Sequence, residues 1–206
     1  MIRIVVADDQ ALIRAALATT LALEDDLTVV GQAGTCAEAV AVATATTPDV
    51  VLLDVQMPDG GLPVEDGIDA IPGIRAGAPG TCVVVLTTFG RPGYLRRAME
   101  AGAVGFMVKD APVDRLLEGI RRAASGLRVV DPELAAASLS IGASPLAEKE
   151  ALVLAASAGG ASTSAIAQAV HLSEGTVRNY LSTAIGKLGA RNRAEALRLA
   201  TENGWL

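Results

Sequence analysis

The sequence has few of the residues from which metal centres and disulfide frameworks are built. It contains two cysteines and one histidine. Cys36 and Cys82 lie in apolar or alanine-rich stretches without metal-ligand spacing, which excludes a disulfide scaffold and a Cys/His metal centre. No apolar run approaches the roughly 18–20 residues of a membrane-spanning helix, and the N-terminus has no apolar signal core. We therefore expect a cytoplasmic protein that does not bind membranes.

The composition indicates a folded chain with two parts of different charge. Hydrophobic residues make up 51% of the 206 residues, which excludes a disordered chain, and the length allows one large or two small domains. Residues 1–130 include 16 acidic and 11 basic residues, whereas residues 145–206 include 5 and 6. Within 173–193, Glu174 stands against four basic residues. This basic patch is modest, so charge alone indicates nucleic-acid binding only weakly.

Short β-branched apolar runs alternate with helical patterns over the first 125 residues. Several runs are continuously apolar, as expected of strands that are buried on both faces. Five strands are predicted, at residues 4–7, 28–32, 50–54, 82–87 and 104–108. This alternation predicts an α/β fold with a doubly wound, five-stranded parallel sheet and helices on both of its faces. The weakest of the helices is at 68–75, where Pro72 and Gly73 are expected to shorten or bend it.

The remainder of the chain is predicted to be helical. Residues 126–144 have no sustained pattern and are interpreted as a linker, with one short helical piece near 132–138. Four helices are then predicted, at residues 146–157, 163–170, 174–188 and 193–203. The predicted organisation is thus a first domain at 1–125, a linker at 126–144 and a small all-α domain at 145–206.

Charged and polar residues stand where four of the five predicted strands end. In parallel α/β sheets, ligands bind outside the carboxyl ends of the strands. The groups are Asp8 and Asp9 directly after the first strand, Asp54 and Thr87 as the last residues of the third and fourth, and Lys109 directly after the fifth. Clustered carboxylates repel one another unless a cation joins them, and Mg²⁺ prefers oxygen ligands. The set predicts a phosphoryl-transfer site with Asp54 as nucleophile. The alternative is that these acids only lie in solvated loops or cap helices.

Four segments in this order resemble the receiver domain of two-component response regulators: IVVADDQALIR, VVLLDVQMP, VVVLTTF and GFMVKD. The resemblance covers roughly residues 1–125 and implies a flavodoxin-like fold. It implies that Asp54 accepts a phosphoryl group from a sensor histidine kinase. It also implies that Mg²⁺ is bound by the side chains of Asp8, Asp9 and Asp54 and by the backbone carbonyl of Gln56.

The same resemblance implies a phosphorylation-dependent switch. Lys109 would contact the acyl phosphate, the Thr87 hydroxyl would turn toward it, and Phe106 would repack in response.

Three features depart from the family pattern. The Met57-Pro58 and Asp66-Gly67 pairs are separated by seven residues, about five more than usual. Thr88 stands where a small alanine is common, and Asp110 replaces a proline that often follows the lysine.

Residues 163–188 have the spacing of a helix-turn-helix, with His171 in the turn and Ser173 as the N-cap of the second helix. Such a recognition helix places its N-terminal residues in the major groove of DNA. The side chains predicted to remain outside the packed pair are Thr176, Arg178, Asn179, Ser182 and Lys187. The alternative is a plain helical hairpin that contacts another protein.

The segment ASTSAIAQAVHLSEGTVRNYLSTAIGKLGARNRAEALRLATENGW resembles the LuxR-like DNA-binding domain. The whole chain is thereby similar to a NarL/FixJ-type response regulator. The family pattern implies base contacts from Arg178, Asn179 and Ser182. It implies DNA-backbone contacts from Thr176, Tyr180 and Lys187, and a dimerisation role for the last helix.

The resulting hypothesis is a phosphorylation-activated transcriptional regulator that dimerises and binds paired promoter half-sites. It is not expected to be an enzyme beyond catalysing its own phosphorylation and dephosphorylation. One alternative is a DNA-binding regulator that responds to a ligand or partner without phosphorylation. A second is an aspartyl-phosphate hydrolase. Such phosphatases have a second aspartate two residues after the nucleophile, where this chain has Gln56.

Overall fold

The structure is a computed structural model that describes residues 1–62, 66–88, 90, 92–132, 134–136 and 144–206. The chain forms two compact units, the first containing Met1–Gly90 and Tyr94–Ala135 and the second containing Ala136–Leu206. Over the described residues, every helix is too short or too polar to cross a lipid bilayer.

The first unit is built on a parallel β-sheet. Its strands are β1 (Ile2–Ala7), β2 (Leu27–Ala33), β3 (Val50–Leu53), β4 (Cys82–Thr87), β5 (Gly105–Val108) and β6 (Val129–Val130). Among the described residues, these form one six-stranded sheet in the order β2-β1-β3-β4-β5-β6, with every pair parallel. The predicted fold class is confirmed, with six strands rather than five. The added strand, β6, has only two residues, so it shows no recognisable periodicity.

Helices cover both faces of this sheet. They are α1 (Ala11–Leu21), α2 (Cys36–Thr46), α3 (Ile71–Gly77), α4 (Pro92–Ala101) and α5 (Val113–Ala124). Successive side chains of a strand point to opposite faces, so β1 contributes to two cores. Ile4 and Val6 pack with α1 and α5, whereas Val5 and Ala7 pack with α2, α3 and α4. Burial on both faces explains why the strands are continuous apolar runs.

Local sequence signals account for two of these helix boundaries. The Thr35 hydroxyl accepts a hydrogen bond from the Glu38 N–H at 3.1 Å and thereby caps α2. At α3, Pro72 lies in the first turn, where a missing N–H is tolerated. The helix is short, and a 3₁₀ helix (Gly67–Ala70) directly precedes it, so the predicted segment 68–75 is part 3₁₀ helix and part α-helix.

The segment after α5 is more ordered at its start than the sequence suggests. In β6, Val129 pairs with Gly105 of β5 and Val130 pairs with Phe106. These two residues lie inside the stretch interpreted as a linker. The helical piece predicted near 132–138 includes Glu133, Ala137 and Ser138, which lie outside the described residues.

The second unit contains four α-helices among residues 144–206. They are α6 (Glu148–Ala155), α7 (Thr163–Ala169), α8 (Glu174–Lys187) and α9 (Arg193–Glu202), close to the predicted bounds. Their shared core includes Val153, Leu154, Ile166 and Val177, all of which are fully buried. Side chains of Ser162, Ser173 and Asn192 cap the last three helices.

Candidate functional site

Three carboxylates lie together at the carboxyl ends of β1 and β3. Asp8 and Asp9 directly follow β1, and Asp54 directly follows β3. The strands are neighbours, with Ala7 opposite Leu53, and the Asp54 N–H donates to the Ala7 carbonyl at 2.9 Å. One oxygen from each of the three carboxylates lies within 4.8 Å of the others. Because β1 lies between β2 and β3, the strand order reverses at this edge, which is where such sheets bind ligands.

The Lys109 ammonium reaches this cluster from the end of β5. Its Nζ lies 2.7 Å from Asp8 Oδ2 and 3.0 Å from Asp54 Oδ2. The Lys109 N–H also donates to the Thr87 carbonyl at 2.8 Å, which ties the end of β5 to the end of β4. The side chains of Asp8 and Asp54 are only 2% and 3% exposed, so both ion pairs are shielded from water. The structure therefore brings residues that are up to 101 positions apart into direct contact.

Burial and charge act in opposite directions on the groups of this cluster. Burial raises the pKa of Asp54, while the hydrogen bond and charge of Lys109 lower it, and the net pKa lies above the ordinary value. Burial lowers the pKa of Lys109, but hydrogen bonds and charges from Asp8 and Asp54 outweigh it and raise the pKa. Three carboxylates against one ammonium leave room for added positive charge, and their oxygen donors fit a hard divalent cation such as Mg²⁺.

The other residues predicted for this site lie on the same rim or behind it. Thr87 is the last residue of β4 and is buried, and Thr88 follows it and is exposed. Phe106 lies in β5 and is fully buried. Gln56 lies two residues after Asp54 in the loop that leaves β3, with an exposed side chain. Thr87 therefore ends the strand beside β3, and Phe106 lies in the core of the sheet.

Sequence reasoning missed the contact that Arg14 makes with this site. Arg14 Nη1 donates a hydrogen bond to the backbone carbonyl of Asp8. On the same loop, the Gln10 N–H donates to Asp8 Oδ1 at 2.9 Å. The signal was available, because Arg14 lies one helical turn into α1 and can reach back to the residues that precede it. These bonds hold the loop that carries Asp8 and Asp9.

The long loop after Asp54 is attached to α2 at its beginning. The N–H groups of Cys36 and Ala37 donate to the carbonyls of Pro58 and Asp59 at 2.9 and 3.1 Å. These donors are in the first turn of α2, where no partner exists within the helix. Gly60 has φ +67°, and a Cβ there would lie 2.5 Å from the Thr35 hydroxyl. Residues 63–65 of this loop lie outside the described part of the chain.

In the second unit, α7 and α8 form the predicted helix-turn-helix. His171 lies in the turn, where its backbone adopts a left-handed conformation with φ +54° and so helps to reverse the chain between the two helices. The Ser173 hydroxyl accepts from the Thr176 N–H at 3.1 Å and caps α8. Val177 is fully buried and Leu181 nearly so, and both pack in the core of the unit. The opposite side of α8 is thus turned outward.

The residues predicted to contact DNA differ in exposure. Arg178, Asn179 and Ser182 are exposed, and Thr176 and Tyr180 are partly buried. Arg178 lies 3.6 Å from Glu174, one helical turn earlier, in an exposed ion pair. Exposed ion pairs of this kind contribute little, so Arg178 can exchange this partner for another at small cost.

Lys187 has a partner within the unit that the sequence did not predict. Its Nζ lies 2.7 Å from Oε2 of Glu150, whose side chain is only 8% exposed. The same carboxylate oxygen accepts from the Ala147 N–H at 2.8 Å, at the start of α6. The Lys187 side chain is 39% exposed, so its ammonium pairs with a buried carboxylate while part of the side chain remains at the surface. Its removal would affect the packing of α6 on α8 as well as any contact with DNA.

We expect Glu150→Gln to lower the melting temperature of the second unit in a pH-dependent way. The hydrogen bond from Lys187, followed by that from the Ala147 backbone, lowers the pKa of Glu150 below its ordinary value of 4.5. The resulting stabilisation is therefore full above pH 4.5 and is lost as the pH falls through the lowered pKa. Calorimetry of the full chain at pH 7 and pH 4 measures the difference from wild type, which should shrink at pH 4. Glu148→Gln, at an exposed position of the same helix, is the control, and an equal effect of both variants would contradict this account.

Comparison with protein families yields two matches, one for each unit. Residues 4–121 match the response regulator receiver domain, and residues 144–200 match the bacterial regulatory proteins of the luxR family. The first match contains the acidic cluster and Lys109, and the second contains the helix-turn-helix.

Relatives match the chain over its whole length. It is 40% identical over 206 residues to the uncharacterized transcriptional regulatory protein YvfU of Bacillus subtilis (strain 168), with 100% of both chains covered. It is 40% identical over 205 residues to the transcriptional regulatory protein DesR of the same organism, covering 100% of this chain and 99% of that one. Among solved structures, the response regulator ChrA of a heme-sensing two-component system matches at 32% identity and a TM-score of 0.57, covering 100% of this chain and 98% of that chain.

Proposed function

Because this chain belongs to the response regulators in which a receiver domain precedes a LuxR-type DNA-binding domain, we propose that a phosphoryl group on Asp54 controls its DNA binding. The phosphodonor would be a sensor histidine kinase. One observation carries the proposal: the Lys109 ammonium contacts both Asp8 and Asp54 in a shielded cluster at the topological switch point. Solvated acids in unrelated loops would not share one buried cation.

The chemistry assigns one role to each group. An oxygen of the Asp54 carboxylate attacks phosphorus, a P–O bond forms, and the bond from phosphorus to the donor's imidazole nitrogen breaks. The Lys109 ammonium would leave Asp54 and bind a phosphoryl oxygen, which offsets the charge that the phosphoryl group adds. The hydroxyl of Thr87, the last residue of β4, would then turn toward the phosphoryl group. Thr88, exposed beside it, would narrow the approach to Asp54.

The donor set supports a magnesium ion as cofactor. The side chains of Asp8, Asp9 and Asp54 and the backbone carbonyl of Gln56 would hold it, with only oxygen ligands. When bound, the ion supplies positive charge that screens the carboxylates from the incoming phosphoryl group. Lys109 alone cannot balance three carboxylates and a phosphoryl group.

The switch would pass from the rim of the sheet to its surface. Phe106 is fully buried in β5 and pairs with Val85 of β4, the strand that ends at Thr87. A change at Thr87 would therefore be followed by repacking of Phe106. Surfaces formed by α4, β5 and α5, or by α1 and α5, would then favour a homodimer.

The second domain would bind promoter DNA as a pair of copies. Arg178, Asn179 and Ser182 would contact base edges, while Thr176, Tyr180 and Lys187 would contact the DNA backbone. Two linked domains double the number of phosphate contacts and raise the effective concentration of the second domain. The receiver function would lie in residues 1–125 and the DNA-binding function in 145–206, and β6, at the start of the joining stretch 126–144, extends the receiver sheet. Such a regulator would act on the chromosome and therefore in the cytoplasm. Its only catalysis would be on its own aspartyl phosphate.

Phosphorylation is expected to strengthen DNA binding on the order of tenfold, as is usual for coupling between two sites. Selection of bound DNA from a random pool, with protein treated with acetyl phosphate and Mg²⁺ and with untreated protein, identifies the preferred sequence. Dissociation constants of both forms for that sequence then measure the effect. Equal affinity of a demonstrably phosphorylated and an untreated sample would favour a regulator driven by a ligand or partner. Sustained release of phosphate from small phosphomonoesters would favour a hydrolase.

A further inference from the structure

An arginine of α4 holds the loop that follows Asp54. Arg97 Nη1 lies 2.8 Å from Asp66 Oδ2, and Nη2 lies 3.2 Å from Asp66 Oδ1 and 2.9 Å from Asp69 Oδ1. The planar guanidinium thus binds one carboxylate through two bonds and a second through one. The side chains of Arg97 and Asp66 are only 25% and 18% exposed. This is a fixed, partly shielded geometry rather than a mobile surface pair.

The segment that Arg97 binds lies directly against the backbone of the acceptor residue. The Gly67 N–H donates to the Val55 carbonyl at 2.8 Å. A Cβ at position 67 would lie 1.9 Å from the Asp54 carbonyl oxygen, so only glycine permits this approach. Asp66 Oδ1 also accepts from the Ile68 N–H at 2.9 Å and begins the 3₁₀ helix. Asp66 therefore joins Arg97 on one side to the strand end of Asp54 on the other.

The charge of this contact persists across the physiological pH range. Burial lowers the pKa of Arg97, but hydrogen bonds and charges from Asp66 and Asp69 outweigh it and raise the pKa. The two bonds from the planar guanidinium fix where the Asp66 carboxylate lies, so the main consequence of this contact is position. The loop needs such a restraint, because it is about five residues longer than receivers of this pattern usually have. Its first half is attached to α2 through Pro58 and Asp59, and its second half is attached to α4 through Asp66.

We propose that Arg97 is a positioning residue for Asp54. By binding Asp66, Arg97 keeps the Gly67 N–H bonded to the Val55 carbonyl. It thereby fixes the position of the Gln56 carbonyl relative to the Asp54 carboxylate. This inference rests on the proposed phosphorylation of Asp54, but the clamp itself can be tested separately. Groups that orient metal ligands without touching the metal affect binding about 10-fold to 100-fold. Arg97 acts one step further out, so about threefold to tenfold is expected.

The first experiment measures the clamp without reference to phosphorylation. Hydrogen–deuterium exchange of the full-length protein compares wild type, Arg97→Gln, Arg97→Lys and Arg115→Gln, the last at an exposed arginine of α5. Exchange of the Gly67 and Ile68 amides should be faster in Arg97→Gln, intermediate in Arg97→Lys and unchanged in Arg115→Gln. Unchanged exchange in Arg97→Gln would overturn the proposal, and faster exchange throughout the sheet would assign Arg97 a general structural role instead.

The second experiment measures the consequence for the site. Titration calorimetry with Mg²⁺ alone should give a dissociation constant about threefold to tenfold higher for Arg97→Gln than for wild type, with Arg97→Lys between them. The rate of phosphorylation by acetyl phosphate at limiting Mg²⁺ should fall by a similar factor and recover largely at saturating Mg²⁺. Unaltered Mg²⁺ affinity despite faster amide exchange would overturn the link to the site. If wild type takes up no phosphoryl group, the proposed function fails, while the exchange result still stands or falls independently.

Discussion

Asp54→Asn is expected to abolish phosphorylation completely. The carboxylate of Asp54 is the acceptor in the proposed reaction, and an asparagine amide in the same place is not a nucleophile that forms an acyl phosphate. Lys109 would keep its ion pair with Asp8, so the cluster loses its reactive oxygen rather than its shape. Intact mass spectrometry after incubation with acetyl phosphate and Mg²⁺ should show one added phosphoryl group on wild type and none on the variant. Removal of Mg²⁺ by a chelator should likewise prevent phosphorylation of wild type.

Asp25→Asn is the matched control for this experiment. Asp25 is an exposed aspartate just before β2, so it lies near the opposite end of the sheet from the acidic cluster. This variant should be phosphorylated like wild type. Persistent phosphorylation of Asp54→Asn would contradict the assignment of the acceptor, and Asp8, which shares the Lys109 ammonium, would be the next residue to test.

Arg178→Ala is expected to weaken binding to the selected DNA sequence by about 1–3 kcal/mol, which corresponds to roughly fivefold to 150-fold in the dissociation constant. Arg178 is exposed in the first half of α8, the part of a recognition helix that enters the major groove. Its ion pair with Glu174 is exposed and long, so the guanidinium is available to a guanine edge. Binding to random DNA should fall much less, and sequence preference should relax.

Arg122→Ala provides a matched control in the receiver domain. Arg122 is likewise exposed and pairs with a glutamate one helical turn away, at 3.8 Å from Glu118. Because α5 belongs to both candidate dimer surfaces, removal of the Arg122 side chain should change the two dissociation constants by the same factor, so the sequence preference stays that of wild type. Equal losses on selected and random DNA for Arg178→Ala would assign this residue to the DNA backbone instead of the bases.

The fold could be predicted well because its strands are buried on both faces. Continuous β-branched runs such as Val50–Leu53 occur where a strand has no solvent face, and the alternation with helices then leaves few topologies. The two-residue strand β6 could not be predicted, since its pairing with β5 depends on where the chain returns after α5. The helix α3 was the weakest of the predictions because Pro72 argues against a helix interior but is compatible with a first turn.

The acidic cluster could also be predicted from the sequence. Carboxylates directly after β1 and β3 must be close if those strands are neighbours, and the parallel topology makes them so. The partners of charged side chains were harder to predict, as Lys187 in the second domain shows. Lys187 was predicted to contact the DNA backbone, and that contact remains a prediction, whereas its bond to Glu150 crosses 37 positions and depends on how α6 packs on α8. A basic residue on an outer helix face is compatible with either role.

The amino-acid sequence by itself determined the two-part organisation, the strand ends that carry Asp8, Asp9, Asp54 and Lys109, and the helix-turn-helix with its Ser173 cap. These features depend on local periodicity and on residue types at strand and helix ends. Only the tertiary structure decided which charged groups share a partner. Arg97 and Asp66 lie 31 positions apart on different elements, and no local pattern relates them. Their contact arises because α4 packs beside the loop after β3. The distance between the two side chains depends on this tertiary packing and not on the local sequence.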